Sequence, residues 1–135
     1  MNPTGILALI ALLAGCSSLG LSSLEAPPEN YRVLAQAHVR ETYFSPLTIR
    51  DAEIATPRPS GGPIFVSTGL TEVWVVCVRS NSKNQLGVYS GRKSTALMIQ
   101  EDRIVGSQDS PAWDSWCSHS QFGPFPEISR ELSEH

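Results

Sequence analysis

Three cysteines and the histidine His119 are the residues of this 135-residue chain whose types could do chemistry. A thiolate beside an imidazole can act as a nucleophile with its base, which would pair Cys77 with His119. A thiolate and an imidazole can also ligate a metal ion, which would pair Cys117 with His119. The sequence has neither a C-x-x-C motif nor a second histidine near His119. We therefore expect no catalytic thiol, no metal and no other cofactor.

The third cysteine, Cys16, follows a short apolar run near the start of the chain. Residues 6–14 read Ile-Leu-Ala-Leu-Ile-Ala-Leu-Leu-Ala, and Gly15 separates them from Cys16. A transmembrane helix needs about 20 apolar residues, so this run is too short to span a membrane. A short apolar run that ends in small residues is typical of a secretory signal. The sequence therefore predicts that residues 1–15 are a signal peptide.

Leu13-Ala14-Gly15-Cys16 resembles the lipobox of bacterial lipoproteins. The resemblance implies that the Cys16 thiol receives a diacylglycerol, that the preceding peptide is removed and that the new amino terminus is acylated. Several acyl chains hold a protein stably, because each buried methylene contributes about 0.8 kcal/mol. The next residue is Ser17 rather than Asp, which implies attachment to the outer membrane with the protein facing the periplasm. The membrane is thus one expected partner, through the N-terminal lipid.

Assigning Cys16 to lipid leaves two cysteines, Cys77 and Cys117, in an oxidising compartment. An even number of thiols in such a compartment favours a disulfide over free thiolates. The sequence therefore predicts a Cys77–Cys117 disulfide.

The rest of the chain has the size of one domain. Residues 17–23 are small and polar apart from two leucines, so residues 16–28 are interpreted as a flexible tether. Residues 29–128 are the predicted domain, and residues 129–135 are expected to fray.

Periodicity predicts one helix followed by strands. After Pro27-Pro28, apolar and aromatic side chains recur at helical spacing over residues 31–43, which predicts an amphipathic helix that ends by Pro46. Strands are expected at 47–54, 71–79, 85–90, 95–100 and 103–106, with 85–90 paired to 71–79. The predicted fold is α+β: one N-terminal amphipathic helix packed on a four- to five-stranded antiparallel meander, with one disulfide.

Residues 109–126 are rich in Pro, Ser and aromatic residues. The aromatic side chains are Trp113, Trp116, Phe122 and Phe125. We expect an irregular segment that packs these rings on the sheet, because Trp and Phe are usually largely buried. The alternative is an exposed aromatic surface that binds a partner or a glycan.

Charge is unevenly distributed along the chain, which carries a formal net charge of −3. Residues 73–100 contain no acid and all four of their charged residues are basic. Together with one tyrosine these form a predicted binding patch, which consists of Arg79, Lys83, Tyr89, Arg92 and Lys93. Such a patch could contact lipid phosphates, an anionic envelope polymer or another envelope protein. The alternative is that these cations simply solvate loop ends, and nucleic acid is not an expected partner in the periplasm.

No motif of a known catalytic site is present in the sequence. G-x-S-x-G, H-E-x-x-H and phosphate-binding loops are all missing. Asp51 and Glu53 would share one face of a strand, which is weak evidence for acid–base chemistry. We therefore expect no catalytic residues and no enzymatic activity.

Two further resemblances concern the body of the chain. Residues 50–54, 76–79 and 87–91 resemble small alphaproteobacterial lipoproteins that have no assigned activity. Tyr89-Ser90-Gly91-Arg92-Lys93 resembles the inhibitory loop of membrane-bound lysozyme inhibitors. The expected function is that of a membrane-anchored periplasmic lipoprotein, a non-catalytic envelope accessory or binding module. The alternative is an inhibitor of a cell-wall hydrolase.

Replacing the lipid attachment residue tests the predicted anchor. Cys16→Ala should leave an uncleaved precursor without lipid, because both processing steps in the lipobox family act at this cysteine. Metabolic labelling with a radioactive fatty acid, followed by mass measurement, checks both effects. Lipid label on the Cys16→Ala protein would contradict the assignment.

Overall fold

The structure, a computed structural model, describes residues 24–110 and 116–129. Cys16, Trp113 and the predicted signal peptide lie outside the described residues. The described part is α+β, with one α-helix, antiparallel sheets and one disulfide, as the sequence predicts at that level. The helix is α1 (Tyr31–Thr42), and the strands are β1 (Arg50–Ala55), β2 (Arg58–Pro59), β3 (Ile64–Val66), β4 (Gly69–Thr71), β5 (Trp74–Asn81), β6 (Lys93–Gln100), β7 (Arg103–Ser110) and β8 (Phe122–Pro124). Two short 3₁₀ helices span Pro46–Thr48 and Pro126–Ile128.

Helix α1 begins after Asn30 and ends at Thr42. Proline lacks an N–H and is tolerated only at a helix start, so the helix forms beyond Pro27-Pro28. Ala35 and Val39 lie one turn apart and are both buried in the core. The backbone turns extended at Tyr43, where the helix stops.

Six strands form the main sheet, in the order β7-β6-β5-β1-β8, with β2 paired to β5 next to β1. The sheet therefore differs from the predicted four- to five-stranded meander. Only β5, β6 and β7 are consecutive neighbours, whereas β1 and β8 extend the sheet on the other side of β5. Strand β8 has three residues, Phe-Gly-Pro, and is too short to show an alternating pattern. A separate hairpin pairs β3 with β4.

The strand predicted at residues 85–90 is wrong. Strand β5 pairs instead with β6, from Trp74–Ile99 to Ser80–Lys93. Residues 84–88 form a turn in which the Asn84 side chain accepts hydrogen bonds from the Leu86 and Val88 N–H groups. Gly87 takes a positive φ of 74°, which suits glycine in a turn and interrupts an extended strand.

Strand β5 has both faces buried. Val76 and Val78 face one core layer, together with Ala35 and Val39 of the helix. Val75 and Cys77 face a second layer, which is completed by side chains of the β3–β4 hairpin and by Cys117. A strand covered on both faces has a continuous apolar run, which explains the sequence of this segment.

Cys77 and Cys117 form the disulfide that the sequence predicts, with a Cα–Cα distance of 5.7 Å. The bond links residues 116–129 to the central strand, β5. Phe125 is fully buried in the helix-side layer, while Phe122 and Trp116 are partly buried against the disulfide-side layer. These three rings thus pack on the sheet, as the sequence predicts. Trp113, for which the same packing was predicted, lies outside the described residues.

Within residues 24–110 and 116–129, no helix has the length and apolar content that crossing a membrane requires.

Removing the disulfide should destabilise the domain. The bond closes a loop of 40 residues, for which the chain-entropy relation gives about 4 kcal/mol of stabilisation. We expect Cys77→Ala/Cys117→Ala to lower the free energy of unfolding by about that amount in urea titrations. Reductant should destabilise the wild type but leave the double variant unchanged. Two free thiols in the mass spectrum of the unreduced wild type would contradict the pairing.

Candidate functional site

A cleft of about 390 Å³ opens at the end of the main sheet where β5 ends and β6 begins. We call it the lysine cleft. Its lining comes from the end of α1, from β5 and the loop after it, and from β6 and β7. The lining residues are His38, Thr42, Tyr43, Phe44, Ser80, Ser82, Lys83, Asn84, Gln85, Ser90, Gly91, Lys93, Thr95, Ser107 and Asp109.

The cleft forms because the apolar cover of the sheet ends before the sheet does. Along the helix-side face of β5, Val76 and Val78 are followed by Ser80. Helix α1 ends at Thr42, and the side chain of the next residue, Tyr43, hydrogen-bonds to Ser80, which is buried at the base of the cleft. Small hydroxyl side chains replace aliphatic ones here, which leaves a concave polar surface.

Three hydrogen-bonded side chains cross the floor of the cleft. Thr95 Oγ1 donates to Asp109 Oδ1 at 2.9 Å. Since the single hydroxyl hydrogen of Thr95 is used there, the Tyr43 hydroxyl donates to Thr95 Oγ1 at 3.0 Å. Burial raises the pKa of Tyr43, so the phenol keeps its proton at neutral pH. The floor is therefore fixed by its own hydrogen bonds.

His38 lies at the helix side of the cleft. Burial lowers the pKa of its imidazole below the ordinary 6.5, against the opposing effect of Glu41 and Asp109. The ring is therefore neutral at pH 7, and the positive charge of the cleft comes from lysines.

Lys83 and Lys93 supply that charge. In the described part of the chain, neither ammonium group is paired with a carboxylate. The acid that shares the cleft, Asp109, accepts its hydrogen bond from Thr95. Two lysines against one aspartate leave the cleft with a net positive charge.

Two arginines of the predicted patch lie elsewhere. Glu53 accepts hydrogen bonds from Arg79 and, at 3.0 Å, from Arg92. Arg79 also stacks on the Phe122 ring, with 4.1 Å between its guanidinium carbon and the ring centroid. The hydrogen bond from Arg79 is the main cause that holds the pKa of Glu53 below its ordinary value. The structure therefore separates Arg79 and Arg92, which share one carboxylate, from Lys83 and Lys93, which make no ion pair in the described part of the chain.

Tyr89, the fifth residue of the predicted patch, braces the loop beside the cleft. The Arg50 guanidinium lies 3.6 Å from its ring centroid, and Lys83 Nζ lies 5.7 Å from it. Its hydroxyl donates to the Thr48 carbonyl at 2.8 Å. The Thr48 hydroxyl in turn accepts from the Lys83 N–H at 3.0 Å. Tyr89 thus contacts Arg50 and Lys83 beside the cleft and does not line the cleft itself.

The loop after β5 is ordered by the Asn84 side chain and presents apolar residues to solvent. Leu86 is 85% exposed at its tip, and Val88 is also exposed. A backbone hydrogen bond from Asn84 to the Val88 carbonyl closes the loop.

Asp51 and Glu53 do not form a free carboxylate pair. A register shift lies between Arg50 and Glu53 in the β1–β5 pairing, and Asp51 has a φ of 53°. This bulge interrupts the alternation from which a shared face was inferred. Glu53 is engaged by two arginines.

A smaller cleft of about 210 Å³ lies at the opposite end of β5, around Trp74. Four acids line it, and the Trp74 indole N–H donates to the Glu25 carbonyl at 3.0 Å. The four acids are Glu25, Glu72, Glu101 and Asp102. The two ends of the sheet therefore carry opposite charge.

Sequence reasoning missed several residues of the lysine cleft. Tyr43, Thr95 and Asp109 come from three distant elements, and no local spacing connects them. Phe44, which is 67% exposed, follows the helix as a large apolar residue that the core does not use. The sequence signal for Phe44 was the presence of an aromatic residue directly after the end of the predicted helix.

In the described part of the chain, no three His, Cys, Asp or Glu side chains are grouped so that they could hold a metal ion. Comparisons with protein-family models, with curated proteins and with solved structures found no match for this chain.

Glu53→Gln should destabilise the domain in a pH-dependent way. The pKa of Glu53 is lower in the folded protein, so its ionised form stabilises the fold above about pH 4.5. This contribution is lost as the pH falls through the folded pKa. We expect Glu53→Gln to cost about 1 kcal/mol at pH 7 and the two stability curves to converge as the pH falls below 4.5 and through the lower pKa of the folded protein.

Urea titrations between pH 7 and pH 3 measure this difference. Glu29→Gln is the matched control, because Glu29 is exposed and has no ion pair among the described residues. A stability difference for Glu53→Gln that stays constant down to pH 3 would show that the ionised carboxylate is not the cause.

Proposed function

We propose that this protein is a membrane-anchored lipoprotein of the bacterial envelope and that its domain is a non-catalytic binding module for an anionic envelope component. The observation that carries the proposal is the lysine cleft, whose two ammonium groups have no carboxylate partner in the described residues. Two other cations of the same segment, Arg79 and Arg92, share the carboxylate of Glu53. Charge left unpaired in a concave polar surface favours an anionic partner.

The anchor in this proposal rests on the lipobox resemblance at Cys16. The lipid would hold the protein on the outer membrane, with the domain in the periplasm. Leu24 lies eight positions after Cys16 in the sequence, which corresponds to a reach of about 27 Å when extended. Leu24 lines the smaller cleft with its four acids, at the opposite end of β5 from the lysine cleft. An attachment at that end leaves the lysine cleft accessible to a partner.

The amphipathic helix expected from the sequence is part of the same proposal. Buried Ala35 and Val39 support an apolar stripe that faces the sheet. Arg40 and Glu41 are exposed on the other side. In this arrangement the helix covers the core and its end forms one wall of the binding site.

A non-catalytic role is supported by the way the polar side chains are used. Tyr43 keeps its proton because its pKa is raised, and Thr95 donates to Asp109. These groups are held in hydrogen bonds to each other, as expected for a fixed recognition surface.

An inhibitor of a cell-wall hydrolase is the second candidate. The loop at residues 84–88 supports it, because the loop is closed by its own hydrogen bonds and exposes Leu86 beside Lys83. A rigid loop with an apolar tip and a flanking cation can enter an acidic cleft at little entropic cost.

Site-specific photo-crosslinking in intact cells tests the main proposal. A photo-reactive amino acid at Gln85, which lines the lysine cleft, should capture the envelope partner of the full-length lipoprotein. Lys83→Glu/Lys93→Glu should reduce the captured product about tenfold or more, because like charges then face the partner. Arg103→Glu, in the exposed turn at the opposite end of the sheet, is the matched control and should leave capture unchanged.

Equal losses in the lysine and Arg103 variants would contradict a role for the cleft. The identity of the product separates the two candidates. A captured hydrolase whose activity falls on adding the purified lipoprotein, and recovers with Leu86→Asp, would favour the inhibitor. A captured product without hydrolase activity favours the binding module.

A further inference from the structure

We propose that the ligand of the lysine cleft is a saccharide that carries a carboxylate. This inference rests on the proposed binding function and names the chemical class of its ligand. Three features of the cleft carry it: its hydroxyl-rich lining, the exposed ring at its edge and its balance of charge.

The lining matches the hydrogen-bonding character of a sugar. Hydroxyl groups of a sugar both donate and accept hydrogen bonds, and so do the side chains of serine, threonine, asparagine and glutamine. Eight such residues line the cleft, and they include Ser82, Gln85, Ser90 and Ser107. Thr42, Thr95 and the Asn84 side-chain oxygen already make hydrogen bonds within the protein. A volume of about 390 Å³ lies in the range of small-ligand sites.

Phe44 provides an apolar plane at the same site. Its side chain lines the cleft, yet it is 67% exposed, so the core does not explain its presence. The C–H face of a sugar ring can pack on such a plane and cover it from water. A polar lining beside one exposed aromatic ring suits a ligand with hydroxyl edges and apolar faces.

Charge sets the acidic character of the ligand. Lys83, Lys93 and Asp109 together carry a net charge of +1 in the cleft, which a ligand with a single carboxylate would compensate.

An extended acidic peptide is the competing occupant. Peptides often bind by adding a strand to an exposed sheet edge. Strands β5 and β6 are paired on both sides, whereas β7, which contributes Ser107 and Asp109 to the cleft, is the edge strand of the sheet. The hydroxyl lining and the Phe44 ring favour the saccharide, and a peptide competitor is included in the test.

Calorimetric titration of the full-length lipoprotein in detergent micelles tests the inference. The probes are the disaccharide of N-acetylglucosamine and N-acetylmuramic acid, which carries a carboxylate, and the neutral disaccharide of N-acetylglucosamine. We expect the carboxylated probe to bind about tenfold more tightly, since a hydrogen bond to a charged group is stronger than a neutral one. Hexaglutamate serves as the peptide competitor.

Two sets of variants separate the roles of charge and ring. Lys83→Gln/Lys93→Gln should abolish the preference for the carboxylated probe, so that the two disaccharides bind with equal affinity. Phe44→Ala should weaken both probes about fivefold. Phe65→Ala is its matched control, because Phe65 is equally a solvent-exposed phenylalanine, on the β3–β4 hairpin away from the cleft. Circular dichroism shows whether each variant is folded.

Equal affinity for the two disaccharides would overturn the assignment of an acidic ligand. Displacement of the disaccharide by an equal concentration of hexaglutamate would overturn the assignment of a saccharide. Absence of saccharide binding would overturn the inference alone, because capture at Gln85 that depends on Lys83 and Lys93 would still support the proposed function.

Discussion

The burial of strand β5 on both faces is the constraint on which the rest of the domain depends. An eight-residue strand with an apolar run from Val75 to Val78 cannot be stable with one face in water. Helix α1 and the Pro126–Ile128 turn cover one face, and the β3–β4 hairpin covers the other. The Cys77–Cys117 disulfide then fastens a late segment of the chain to the same strand. The helix, the hairpin, the 3₁₀ turn and the disulfide therefore all contribute to burying strand β5.

The candidate site lies where that requirement ends. Beyond Val78 the helix-side face of β5 continues as Ser80, and α1 stops at Thr42. The polar side chains at the base of the cleft are buried there and must be satisfied by hydrogen bonds. The Tyr43–Thr95–Asp109 series supplies these bonds, whereas the two lysines make no ion pair within the described residues.

The sequence predicted those elements whose structure depends on short stretches of the chain. The apolar run of β5 and the tight β6–β7 hairpin were visible because burial on both faces and a two-residue turn leave direct marks on the sequence. Strand β8 was not, because it is held by backbone pairing with the distant strand β1. The β3–β4 hairpin was not, because three-residue strands are too short to show an alternating pattern. The sequence also did not separate the arginines of the predicted patch from its lysines, because Glu53, which pairs with Arg79 and Arg92, lies 26 residues before Arg79.

A weak site suffices for a domain that is held on a membrane. The lysine cleft is open to solvent and offers a few hydrogen bonds, one ring and two cations, which limits its intrinsic affinity. If Cys16 carries lipid, a ligand that belongs to the same envelope is confined with the domain, and its effective concentration is set by the tether rather than by dilution. The charge difference between the two ends of the sheet adds a preferred orientation, because an anionic polymer attracts the lysine end and repels the acidic end near Leu24. On this proposal, the lipid anchor would keep the domain close to its ligand, and the cleft would need to supply only selectivity.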